Sequence, residues 1–184
     1  MGRGIEKYIK RYMKKRGQIW VETIIYTLIA FAMIGLVLAF VKPRIDEIQD
    51  RGIIEQSIKL LEDIDDVIKG MGDPGNQRVI EIGIRKGSLK INGVEESLIF
   101  ELESGSEFSE PGEDYIEGDI LIQTKKVGNL NDITLTLAYS NYNLTYDDKN
   151  EIKILGKSST PYKLLISNKG ESDGKTIINF ELLS

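Results

Sequence analysis

Apolar positions divide the chain into three stretches of different period. From Thr23 to Val41 there are 19 residues and no formal charge. A helix rises about 1.5 Å per residue, so this run matches the hydrocarbon thickness of a bilayer. Lys42-Pro43-Arg44 closes it, and Pro43, which lacks a backbone donor, is expected to kink the helix or to begin a new one. In the second stretch Ile45, Ile48, Ile54, Ile58, Leu61, Ile64 or Asp65, and Ile68 recur on one helical face, with charged residues such as Asp50, Glu55 and Glu62 opposite. The pattern stops at Gly70-Met71-Gly72-Asp73-Pro74-Gly75. The two stretches together predict a helical stalk of about 50 residues, with Gly52 as a soft point.

From Arg78 onward the period falls to two. Ile80 with Ile82 and Ile84, Leu98 with Phe100 and Leu102, and Ile133 with Leu135 and Leu137 alternate, and Asn92-Gly93 reads as a hairpin turn. Later pairs such as Ile152 with Ile154 and Ile178 with Phe180 continue the alternation. About eight short strands follow, at the spacing of a sandwich or Greek-key sheet. The expected fold class is α+β: a long N-terminal helical stalk, hydrophobic then amphipathic, followed by an all-β sandwich-like head over residues 70–184.

Charge sharpens this picture. Residues 1–17 carry seven basic side chains against Glu6, a net of +6; the whole chain is −5, so the other 167 residues carry −11. Basic residues beside an apolar span predict a cytoplasmic N-terminus, with everything after Val41 on the outer side. The acidic balance of that outer part excludes the basic face that nucleic acid requires. Cysteine and histidine are both absent, which removes disulfides, thiol chemistry and the commonest general base. No phosphate loop, nucleophile elbow or zinc-protease motif occurs, so no catalytic residue, metal ligand or cofactor is assigned and an enzyme is not expected.

Four features outside the stalk have candidate chemistry. Glu107, Glu110, Glu113, Asp114, Glu117 and Asp119 surround Pro111-Gly112; calcium takes six to eight oxygen ligands, but the spacing matches no EF-hand, and a solvated acidic loop is expected. Asp147, Asp148 and Asn150 read as a turn. Asn143-Leu144-Thr145 is the chain's one N-glycosylation sequon. Tyr139, Tyr142, Tyr146 and Tyr162 are expected to pack within the sheets rather than to form a binding face. Within the apolar run, Gly35 and Ala39 form a small-x-x-x-small pair, with Ala32 on a neighbouring face, a pattern that lets helices approach closely.

The junction ahead of the apolar run is its most specific feature. Lys15-Arg16, Gly17, Gln18, then Glu22 and an uninterrupted apolar helix resemble the precursors of archaeal type IV pilins with class III signal peptides, over about residues 10–69. The resemblance implies a leader of residues 1–17 cut by a prepilin peptidase between Gly17 and Gln18, and a retained helix, 18–69, that becomes a filament core. It further implies a homo-oligomeric helical filament, an assembly ATPase with its membrane platform, and pairing of Glu22 with the new N-terminus of a neighbouring subunit. The chain would then be a membrane-inserted precursor whose mature form lies in an extracellular filament, and Asn143 would be a candidate for the glycans such filaments carry. The physics agrees: a carboxylate in an apolar span costs about 2.5–3.5 kcal/mol at the bilayer centre and less near an end, so Glu22 calls for a reason. The alternative for Glu22 is an interfacial acid that reaches water. The alternative for the chain is a membrane-anchored β protein that does not polymerise, either an outward binding module or an accessory subunit of the archaellum.

Overall fold

The computed structural model describes residues 20–183 in full and residues 3–19 as helical backbone alone. The chain is one helix followed by ten strands: α1 (Arg3–Lys69), β1 (Gln77–Ile82), β2 (Ser88–Asn92), β3 (Ser97–Ser104), β4 (Asp114–Glu117), β5 (Ile120–Val127), β6 (Leu130–Ala138), β7 (Tyr142–Tyr146), β8 (Ile152–Gly156), β9 (Tyr162–Ser172) and β10 (Lys175–Leu183). Two compact units divide between Asp46 and Glu47, so the last part of α1 belongs to the head. The expected class, a long apolar helix followed by a β head of two sheets, is the observed one.

α1 runs through Pro43 and Gly52 without a break. Of the two outcomes expected at Pro43, a kink or a new helix, the new helix does not form; proline forfeits one backbone bond, and the helix formers on either side propagate across it. The helix ends where predicted, at Gly70, whose N–H still bonds the Asp66 carbonyl at 2.9 Å.

In the head, Ile54, Ile58, Leu61, Ile64 and Ile68 are buried at spacings of three and four, with Met71 just beyond the helix. Ile45 and Ile48 were expected on the same face, but both are exposed, since the core begins at Ile54. Beside this stripe Ile53, Ser57 and Leu60 approach Ile84 and Phe100.

One sheet has the order β1-β9-β10-β7, and the other β4-β5-β6-β3-β2-β8. Every neighbouring pair is antiparallel except β10 with β7, which is parallel. The period-two pattern is legible in burial: Asn131, Ile133, Leu135 and Leu137 of β6 all point into the core. Leu164, Ile166, Ile178 and Phe180 supply the four-stranded sheet's share, and these residues form one cluster with the helix stripe.

The sequence underestimates the strands. β2, β4 and β7 are the ones it misses, each only four or five residues long, too short for alternation to stand out. β4 lies within the acidic stretch expected to be a loop. The hairpin at Asn92-Gly93 exists, but its loop holds four residues, with Asn92 facing Ser97. The Asn92 side-chain oxygen accepts from the backbone N–H groups of Val94 and Glu95, both at 3.1 Å. The left-handed residue of this loop is Glu96, at φ 51°, not Gly93. Glu96 is held there because its carbonyl accepts from Tyr139 N at 2.8 Å and its carboxylate accepts from Leu144 N. Gly93 has a different reason: a Cβ would lie 2.6 Å from the Leu144 carbonyl oxygen.

Leu61 is fully buried in the stripe, so Leu61→Ala should lower head stability by about 3 kcal/mol through lost transfer energy and a residual cavity. Denaturant unfolding of the full chain in detergent, followed by the β-sheet circular dichroism signal, measures it.

Candidate functional site

The apolar part of α1 is the first candidate. Residues 20–49 are exposed throughout, including Trp20 at 71% and Phe40 at 76%. Among the described residues α1 is the one helix long and apolar enough to cross a membrane. A continuous apolar surface of this extent is stable only when covered by lipid or by protein. Glu22 is exposed in the first turns of the segment. Ala32, expected on a neighbouring face, instead shares the stripe of Gly35 and Ala39 at spacings of three and four along α1, and a Cβ added at Gly35 would meet nothing within 4 Å. The stripe is therefore available to a second helix rather than filled by this chain. Thr27 adds no free donor, because its hydroxyl bonds the Thr23 carbonyl at 2.8 Å. Gly17 and Gln18, the expected cleavage junction, lie outside the fully described residues.

Two polar clusters in the head were not anticipated from the sequence, because each joins α1 to residues distant along the chain. Asp50, expected on the solvated face, is largely buried. Its carboxylate accepts from Lys86 Nζ at 2.5 Å, Gly105 N at 2.6 Å and Ser104 Oγ at 3.3 Å. Burial pushes its pKa up, but the Lys86 and Gly105 hydrogen bonds and the Lys86 charge outweigh that and hold it below the ordinary aspartate value. Asp50 thus ties the start of the head's helix to the β1–β2 and β3–β4 connections.

At the other end of the helix, Lys69 Nζ lies 2.7 Å from Asp65 Oδ2 and 2.7 Å from Asp119 Oδ2. The Asp119 and then the Asp65 hydrogen bonds hold the ammonium well above its ordinary pKa. These three residues, with Tyr139, Asn141 and Tyr142, line a polar pocket of about 290 Å3. Asp65 and Tyr139 are 8% and 7% exposed, and Asp65 Oδ1 and the Tyr139 hydroxyl are buried without a hydrogen bond of good geometry. The hydroxyl pKa is raised, first by burial and then by the Asp65 charge. Lysine is thus held protonated and the phenol neutral, so neither is poised to exchange a proton near neutral pH.

The tyrosines behave as packing residues. Tyr139 and Tyr142 meet edge-to-face with ring centres 5.7 Å apart, Tyr146 lies under the Lys153 ammonium, and the Tyr162 hydroxyl bonds the Gly156 carbonyl at 3.0 Å. The acidic stretch is dispersed along β4 and its flanks: Glu107 pairs with Lys126, Asp114 with Gln123 and Asp119 with Lys69. Among the described residues no group of three or more acidic side chains is arranged to hold a metal ion. Asp147 and Asp148, at φ 49° and 60°, form the tight turn expected of them, closed by paired hydrogen bonds between Tyr146 and Lys149. Asn143 is half-buried on β7, an outer strand. The Thr145 hydroxyl of the same sequon is buried and donates to Asn179 Oδ1 at 2.9 Å.

No protein-family model, no curated protein and no solved structure matches the chain. The fold therefore defines it no further than a β head of two sheets on a long apolar helix.

Replacing Asp50 by Asn should cost about 2 kcal/mol at neutral pH, as charge-assisted hydrogen bonds are lost. Because the folded pKa of Asp50 is depressed, its contribution is fully present above the unfolded value and fades as pH falls through the folded one. The gap between wild type and variant should therefore close from about pH 4 downward. Denaturant midpoints measured across that range test the sign.

Proposed function

We propose that this chain is a structural subunit of an archaeal type IV pilus-like surface filament, processed at Gly17-Gln18 and assembled through its apolar helix. The observation that carries this reading is the exposed, uncharged Thr23–Val41 surface with Glu22 alone at its start. In an ordinary anchor nothing requires an acid at that position. After cleavage the new amino group of Gln18 would lie about one helical turn from Glu22 along its own chain, and the same spacing lets Glu22 of one subunit meet the amine of another. The precursor sits in the membrane with its basic N-terminus in the cytoplasm, and the prepilin peptidase removes residues 1–17. An ATP-driven platform then moves the helix out of lipid. Ala32, Gly35 and Ala39 permit close helix approach in the filament core. Helix burial gains little relative to lipid, so packing, charge pairing and the motor supply the drive. The role is architectural, without a catalytic site, and the β head coats the filament.

N-terminal sequencing and intact mass of protein shed from native cells test the reading. A chain starting at Gln18 in high-molecular-mass material is expected. A chain starting at Met1 or Gly2 that stays in detergent-soluble membranes would overturn it in favour of a non-polymerising anchored module. Glu22→Ala should leave membrane insertion intact and reduce shed filaments at least tenfold, scored by electron microscopy and by the pelletable fraction.

A further inference from the structure

The six-stranded sheet ends in two short outer strands of opposite character. β4 reads Asp114-Tyr115-Ile116-Glu117 and is preceded by Glu113; β8 reads Ile152-Lys153-Ile154-Leu155-Gly156 and is followed by Lys157. Both present apolar side chains to solvent: Ile116 is 68% exposed and Ile154 57%. We propose that β4 of one copy of this chain pairs with β8 of a second copy, extending the sheet from head to head.

Topology, face and charge all support one register. The sheet alternates in direction from β4 to β8 across six strands, so β8 of a copy in the same orientation meets β4 antiparallel. Residue pairing traces one row across the sheet through Glu117, Ile120, Leu137, Leu98, Ile91 and Lys153. Continuing that row into the next copy sets Glu117 opposite Lys153 on the core-side face. With an even number of strands, the alternation of hydrogen-bonded and non-bonded pairs stays in phase across the junction. The same register sets Ile116 opposite Ile154 on the outer face, Tyr115 opposite Leu155, and Glu113 opposite Lys157. A slip of one residue would place each side chain on the wrong face. The Lys153 ammonium is held at this edge, 4.7 Å from the centre of the Tyr146 ring.

Outer strands commonly carry charge to prevent association. Here the two edges carry opposite charge, which opposes β4–β4 and β8–β8 contacts and favours the unlike pair. Such a contact is heterologous and propagates from copy to copy. It does not depend on the apolar helix, so its failure and that of the filament reading are separate results.

The absence of native cysteine allows a direct test on the full chain, concentrated in detergent micelles and in membranes. A chain carrying both Glu117→Cys and Lys153→Cys should give a ladder of covalent multimers on mild oxidation. The two edges of one sheet stand about 24 Å apart, so the bond cannot close within a chain. The one-residue offset pair Glu117→Cys with Ile152→Cys should give at least tenfold less. In a chain reporting through Asp114→Cys and Gly156→Cys, Glu117→Lys should cut the ladder tenfold and Lys153→Glu should restore it. Equal ladders from matched and offset pairs, no ladder from a matched variant that keeps its wild-type circular dichroism, or insensitivity to charge reversal would each overturn the proposal.

Discussion

Burial of one helical stripe is the constraint on which the head depends. Ile54, Ile58, Leu61, Ile64 and Ile68 belong to the same cluster as the inward side chains of both sheets. With no disulfide available, the apolar area removed from water is the main stabilising term. Asp50 at one end of the stripe and Lys69 at the other fix the helix against connections distant along the chain. Hydrophobic burial supplies strength without direction, and these polar contacts supply direction.

The same helix also presents a surface that the chain does not cover. Within α1 the core stripe recurs every three to four residues, whereas Thr23–Val41 is apolar all round. A one-sided pattern satisfies itself within a folded unit; an all-round pattern requires lipid or other helices. Glu22 and the small-residue stripe give that requirement specificity, which is why assembly rather than simple anchoring is the reading favoured for this segment. The oppositely charged outer strands belong to the head alone, and they apply the same logic of incompleteness to backbone hydrogen bonds rather than to apolar area.

How far the sequence could be read depended on the range of each interaction. The helix end at Gly70, the strands β3, β6 and β10 and the turn at Asp147-Asp148 were legible, since period and turn chemistry are local. The strands β2, β4 and β7 were not, because a strand of four or five residues is stabilised by its neighbours more than by its own pattern. Asn92-Gly93 read as the hairpin turn; Glu96 took the left-handed position of the loop instead because Leu144 and Tyr139, more than 40 residues away, reward it there. Asp50 looked like a member of a solvated face, and nothing local distinguishes a charge facing water from one meeting a backbone N–H 55 residues on.

The sequence by itself determined the period of each segment, and hence the fold class, the uncharged span and the lone acid at its start, because those follow from neighbouring residues. Tertiary structure decided which polar groups are buried, how far the core extends along α1, and which strands stand at the sheet edges. Those outcomes rest on contacts between residues far apart in the chain, whose geometry exists only once the core has formed.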